Sequence, residues 1–242
     1  MLQRTEGIVL KTTPFGEADL IVTYLTSDHG IIKAFAKSPR KIKSRFGSSL
    51  EPLTHSKISF WGKEDATLPR LTQSDIINSF HSIRSSLRSY LRVSEIIELT
   101  LNVLAERDAS SRTYSLLMNT LFAMETECEA GLLMLYYKLK LLEIVGFLPG
   151  LNGCGRCGKK GDAFYLSHGS VLCERCSKGH EPYFSLSPGV INFYSSLLCW
   201  DLSKLNRLKP SEGLVSGLSR VIDEHVKYTI ERELRTKAFR IS

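Results

Sequence analysis

Long apolar runs are missing from these 242 residues. The longest uncharged stretch, residues 182–200, is interrupted by Pro188, Gly189, Asn192 and several serines, which excludes it as a membrane-spanning helix. The opening MLQRTEGIVL places Arg4 and Glu6 where a secretory signal needs its apolar segment, so no targeting segment is expected and the reading is cytoplasmic. With 8 Pro, 17 Gly and neither internal repeat nor low-complexity segment, collagen-like and disordered architectures are excluded as well. Acidic residues are the scarcer charge: 25 Asp+Glu against 32 Lys+Arg leave a net charge of +7. That balance suits a polyanionic partner, and it is also common in proteins that bind nothing charged. Catalytic arrangements are missing too. His29, His55, His81, His168 and His225 have no Ser, Cys or Asp at an informative spacing.

What is present divides by periodicity. Residues 1–78 contain five short runs rich in Ile, Val, Thr, Phe and Tyr, at 3–11, 20–26, 30–37, 56–61 and 67–77. Turn chemistry bounds them, as in Pro14-Phe15-Gly16 and Ser27-Asp28-His29-Gly30. Ile58 and Phe60 alternate with Lys57 and Ser59, the period of a half-buried strand. Five strands in so short a span suit a small barrel, in which closure removes exposed edges; an SH3-like barrel and a small open sheet are the alternatives. After residue 79 the period becomes helical. The pattern predicts two helices up to about 104, then helices at 110–126, 130–146, 187–198 and 214–239.

Residues 153–181 are rich in Gly and Cys and too short for a core of their own. Cys154-Gly-Arg-Cys157 and Cys173-Glu-Arg-Cys176 form C-x2-C-x15-C-x2-C, the spacing of a tetrahedral structural zinc site. Two intervening residues let one tight turn aim both sulfurs at a single ion, and Gly155 and Gly158 are expected to supply the backbone angles. Phe164–Leu166 and Val171-Leu172 read as a hairpin that returns the second pair to the first, in the manner of a zinc ribbon. A redox pair, or His180 in place of Cys176, are the competing readings. Four protein ligands leave no open position, so one Zn2+ here is structural. Cys128 and Cys199 read as core residues. Gly153–Lys160 nearly spells a phosphate-binding loop, but its last position is Lys, without the hydroxyl that holds magnesium. The zinc-deaminase signature is absent as well.

Lys37, Arg40, Lys41, Lys43 and Arg45 place five positive charges and no acid in nine residues after a predicted strand. Beside a barrel, such a loop is suited to track a phosphate backbone; a merely solvated loop is the alternative. Phe35, Phe46, Phe60 and Trp61 lie close by in sequence and read either as core or as stacking platforms. A second basic set, Arg232, Arg235, Lys237 and Arg240, is expected to end the last helix, where cations need no ligand to explain them.

The order of these parts resembles one family. Gly16-Glu17-Ala18-Asp19-Leu20-Ile21, Leu25-Thr26-Ser27-Asp28-His29-Gly30, the basic loop and Ser49-Leu50-Glu51-Pro52-Leu53 precede the helical middle. Gly146-Phe147-Leu148-Pro149 leads into the first cysteine pair, and Tyr228-Thr-Ile-Glu-Arg-Glu-Leu-Arg-Thr-Lys closes the pattern. Over nearly the full length the chain resembles RecO, a family of bacterial recombination and repair proteins. Its Leu234-Arg235-Thr236 departs mildly from that family, where Lys or Arg followed by Ser is commoner. The resemblance implies a multidomain α+β protein with an N-terminal OB-fold β-barrel over 1–79. It further implies an all-α domain over 80–152 and 182–242, with a four-cysteine zinc finger inserted at 153–181. It implies no enzyme activity. Expected instead are binding of single- and double-stranded DNA, annealing of complementary strands, and cooperation with RecR to load RecA onto DNA coated by single-strand-binding protein. That protein's acidic C-terminal tail is an implied partner. The competing class is a zinc-containing protein-interaction scaffold with incidental DNA contact; a zinc hydrolase would need an open coordination position.

Overall fold

The alternation of the first 78 residues becomes five strands: β1 (Leu2–Phe15), β2 (Asp19–Thr26), β3 (Gly30–Ala36), β4 (His55–Trp61) and β5 (Arg70–Asn78). The structure, a computed structural model, describes residues 1–39, 46–63, 66–126, 130–178, 184–205 and 207–239. Together with the helices below, they make a mixed α+β chain with a five-stranded N-terminal sheet. β5 starts three residues later than its composition suggests, immediately after Pro69, which has no N–H to give to a ladder.

β1 is long enough to serve two neighbours. Its first half pairs antiparallel with β4, from Leu2↔Trp61 to Ile8↔His55. Its second half pairs with β2, from Gly7↔Thr26 to Phe15↔Asp19. The register shifts between Val9 and Lys11, a bulge that bends the strand from one partner toward the other. β2 pairs with β3 and β4 with β5. β3 and β5 then meet through one parallel pair, Phe35↔Arg70, reinforced by the Phe35 N–H donating to the Pro69 carbonyl at 2.8 Å. The order β1-β2-β3-β5-β4 therefore closes on itself, which sets aside the open-sheet alternative. Val9, Val22, Tyr24, Ile32, Ala34, Ala36, Ile58, Phe60 and Leu71 fill the interior, and Phe46 and Leu50 join them from the β3–β4 connection.

The chain divides into two compact units, Met1–Tyr90 with Leu104–Leu121, and Leu91–Val103 with Phe122–Ser242. In the first, helix α1 (His81–Ser85) is tied to the β3–β4 connection by Arg84, which donates to the Glu51 carboxylate at 2.6 Å and to the Thr54 hydroxyl at 2.6 Å. The stretch after residue 104 runs beside β3: the Arg107 N–H donates to the Ile31 carbonyl, and Lys33 pairs with Glu106. His55 is buried and hydrogen-bonds Tyr114 at 2.8 Å. Burial pushes its pKa below the ordinary value against the upward pull of Glu6.

The second unit holds α2 (Leu87–Val103) from Leu91 onward, α4 (Ala130–Ile144), α5 (Pro188–Cys199), α6 (Leu202–Leu205) and α7 (Glu212–Thr229). Helix α3 (Ser111–Glu125) begins in the first unit and ends in the second. As expected, residues 80–104 form two helices, α1 and α2, with Ser86 extended between them. α4 is buried almost all round rather than along one stripe, from Leu132 to Leu142. It takes the buried Lys138 inside with two carboxylates, Glu95 at 2.6 Å and Asp223 at 2.7 Å. A buried ammonium without such partners is costly, and breaking a pair of this kind costs about 3–5 kcal/mol. α5 starts on Ser187, whose side chain accepts from the Val190 N–H, with Pro188 following as the first helical residue.

The last helix is shorter than its pattern. α7 stops at Thr229, and Glu231 then takes a φ of 55°. A separate 3-10 turn covers Arg235–Phe239, its Arg235 and Thr236 N–H groups donating to the Glu98 carboxylate at 2.8 and 2.9 Å. The side-chain cap from α2 stops the helical pattern from being read straight through.

Gly30 opens β3 at a φ of +63°, and a Cβ there would lie 2.2 Å from the Asp108 carbonyl oxygen. Backbone cannot yield as a flexible side chain does. Gly30→Ala is expected to lower unfolding stability by roughly 2–3 kcal/mol, measured by urea denaturation; a loss below about 0.5 kcal/mol would contradict this packing.

Candidate metal centre and nucleic-acid interface

The four sulfurs of Cys154, Cys157, Cys173 and Cys176 all lie within 4.8 Å of one another. All four cysteines are free thiols, and the Cys157 and Cys173 sulfurs stand 3.5 Å apart. A tetrahedral ion with metal–sulfur bonds of about 2.3 Å sets its sulfurs about 3.8 Å apart, so the cluster fits one such ion.

Two knuckles and a small sheet build it. In the first, the Gly158 N–H donates to the Cys154 carbonyl at 2.8 Å, and Gly158 has a φ of +73°. In the second, the Cys176 and Ser177 N–H groups both donate to the Cys173 carbonyl. β6 (Ala163–Tyr165) and β7 (Ser170–Leu172) form the expected hairpin, linked by a 3-10 turn and Gly169. A third strand, β8 (Phe184–Ser185), pairs with β6; nothing in the periodicity announces it. Gly155 serves differently from expectation. Its φ is not in the left-handed region, but a Cβ would meet the Ser170 hydroxyl oxygen at 2.3 Å, so the residue permits close approach of β7. The near phosphate-loop of residues 153–160 is the first knuckle, closed by the Cys154 N–H donating to the Lys159 carbonyl at 2.7 Å.

The cluster's titration reflects the hydrogen bonds made to its sulfurs. The Cys173 N–H aimed at its sulfur lowers the Cys154 pKa, and the Cys176 N–H lowers that of Cys173. Cys176 is pushed up by its hydrogen bonds with the sulfurs of Cys157 and Cys173. Four thiolates do not coexist at this separation without a cation among them, and a bound metal displaces the last proton.

Of the predicted backbone contacts, Lys37 is exposed just beyond the end of β3. Arg40, Lys41, Lys43 and Arg45 lie outside the described residues. The chain leaves β3 through Ser38, at a φ of 55°, whose N–H donates to the Asp19 carboxylate at 2.6 Å. The exit of β3 is thereby tied to the start of β2.

Residues 1–80 match the family model described as Recombination protein O N terminal, and residues 84–238 match Recombination protein O C terminal. The chain belongs to the RecO family. It is 42% identical over 228 residues to the DNA repair protein RecO of Thermodesulfovibrio yellowstonii, covering 92% of this chain and 91% of the relative. It is 32% identical to the protein of the same description from Rubrobacter xylanophilus, over 93% and 91% of the two chains. Caldanaerobacter subterraneus subsp. tengcongensis has a relative of that description at 29%, over 98% and 96%. RecO is a family of recombination mediators, not enzymes.

Several site readings change in this RecO chain. Cys199, expected in the core, is exposed at the end of α5, because the apolar stripe of that helix passes through Val190, Phe193, Tyr194 and Leu197. Cys128, His180 and Arg240 lie outside the described residues. The second basic set does not end α7. Arg232 follows the helix, and Lys237 reaches the Asp223 carboxylate at 3.4 Å. The four aromatics divide: Phe46 and Phe60 are core, Phe35 is half-buried and Trp61 exposed. Phe15, exposed and packed edge-on against Phe35 at 5.8 Å, escaped the sequence reading because it sits within a turn signal.

Metal analysis checks the cluster directly. Freshly reduced protein is expected to carry one equivalent of metal, and Cys154→Ser to lose it; less than about half an equivalent in intact protein would contradict a closed four-sulfur site.

Proposed function

We propose that this chain is a DNA-repair mediator of the RecO kind. It binds single- and double-stranded DNA, anneals complementary strands, and acts with RecR to help load RecA onto DNA coated by single-strand-binding protein. The observation that carries this reading is the match to both halves of the RecO models, end to end. We assign 1–79 as an OB-fold, 80–152 and 182–242 as the helical domain, and 153–181 as a zinc finger. A closed five-stranded sheet supports the first assignment, and four clustered sulfurs support the last.

The mechanism is electrostatic. A DNA strand carries a condensed layer of counterions, and each lysine or arginine that replaces one gains the entropy of its release. Lys37, Arg40, Lys41, Lys43 and Arg45 supply that exchange. Neutralising the phosphates of one strand also lowers the repulsion that a complementary strand meets on approach, so annealing proceeds without nucleotide hydrolysis. Cys154, Cys157, Cys173 and Cys176 would hold Zn2+, which would supply rigidity to that segment. The acidic C-terminal tail of single-strand-binding protein is a further partner of suitable charge, and the cytoplasm, with the nucleoid, is the assigned location.

If all five cations meet phosphate, log affinity against log salt falls with a slope near about −3.5 on single strands and about −4.5 on duplex. Replacing all five by alanine is expected to flatten the slope. An unchanged slope and affinity would place DNA contact elsewhere in the chain, and no retardation of a long oligonucleotide at physiological salt would favour a protein-interaction scaffold.

A further inference from the structure

Strand alternation assigns a face to each residue at the open end of the sheet. Ala34 and Ala36 are core, so Phe35 between them faces outward, as does Lys37 beyond. Phe60 and Leu71 are core, so Trp61 and Arg70 face outward as well. The register makes these residues neighbours: Trp61 opposes Arg70 and Arg70 opposes Phe35. Residues directly opposite on paired strands share a face. Phe15 extends the row, its ring edge-on to Phe35 at 5.8 Å. The result is a row, Trp61–Arg70–Phe35–Phe15, with one residue from each of β4, β5, β3 and β1 and its end at the β1–β2 turn. At about 4.8 Å per strand, Trp61 and Phe35 stand about 10 Å apart. The two ends of the row are open to water, Trp61 61% exposed and Phe15 50%.

The occupant's chemistry follows from what surrounds the row. The row combines aromatic rings with the cation of Arg70, and Lys37 continues the face at the end of β3. The Asp19 carboxylate beside it is occupied by the Ser38 N–H. Exposed aromatic rings spaced along one face, with the cations of Arg70 and Lys37 among them, suit unpaired bases on a phosphate chain. Duplex, whose bases are already stacked, offers them nothing. A neighbouring depression of about 630 Å³ does not compete. Its lining sets Glu6, Asp28 and Asp75 against Arg4 and Lys57, the wrong sign for phosphate. The Thr5 and Ser27 hydroxyls, donating to Asp28, keep that carboxyl below its usual range and hence charged.

We propose that Trp61, Arg70, Phe35 and Phe15 form a stacking platform for two or three consecutive bases of single-stranded DNA. This rests on the nucleic-acid reading above and adds to it: the cations hold the backbone, whereas this row distinguishes unpaired bases from duplex. The two readings separate experimentally, because stacking requires bases and charge neutralisation does not.

The test uses the full chain with two probes, a thymidine homopolymer and an abasic deoxyribose-phosphate strand of equal length. Trp61→Ala and Phe15→Ala are each expected to weaken binding to the homopolymer by roughly tenfold. Binding to the abasic strand and the salt slope stay as they were, and Trp61→Phe retains most of the affinity. Phe15→Ala carries the test should Trp61→Ala fail to fold. Equal losses on both probes, or no loss on the homopolymer, would overturn the platform while leaving phosphate binding intact. Failure of the unaltered chain to bind either probe would overturn both readings.

Discussion

A β-strand has two edges, and in this protein one strand uses both to hold the N-terminal sheet closed. β1 pairs with β4 along its first half and with β2 along its second, and the irregularity between Val9 and Lys11 turns it from one to the other. Closure fixes the rest. It brings β3 beside β5, where a single parallel pair joins Phe35 to Arg70. It also places the β1–β2 turn, the exit of β3 and the flanks of the β4–β5 loop at one end. Lys37 stands at that end, just beyond β3.

Much of this was legible in the sequence, for a definite physical reason. Period-2 alternation over Lys57-Ile58-Ser59-Phe60 states which face is buried, and the same count carries Trp61 outward. The cysteine spacing was legible too, since two intervening residues almost dictate a knuckle. Gly155 was harder. Its missing side chain answers a contact with Ser170, fifteen residues away, rather than a local backbone angle. Phe46 lies in an irregular connection, where no period says whether an aromatic turns in or out.

Long-range capping and buried charge account for most of the remainder. Glu98 in α2 receives the N–H groups of Arg235 and Thr236, more than a hundred residues later, and this tertiary contact redirects a helical pattern into a separate turn. Lys138, a charged residue within the apolar α4, is buried between Glu95 and Asp223. Periodicity reports the side chains of one element. Partners contributed by other elements leave no trace in it, and Cys199 was misplaced for the same reason: its surroundings in sequence are apolar, but its helix turns that position outward.

The family's membership and the fold converge on a protein that works by holding rather than by reacting. On the proposed reading, charge neutralisation and stacking act on single-stranded DNA beside a closed sheet. The four-sulfur cluster supports a separate small sheet and offers no chemistry of its own. Amide hydrogen exchange of the full chain, with and without saturating single-stranded DNA, tests that division most directly. The account predicts slowed exchange around residues 15–19, 35–39 and 68–71. Slowing confined to the cysteine knuckles or to α4–α7, with the strand ends of the sheet unchanged, would contradict it.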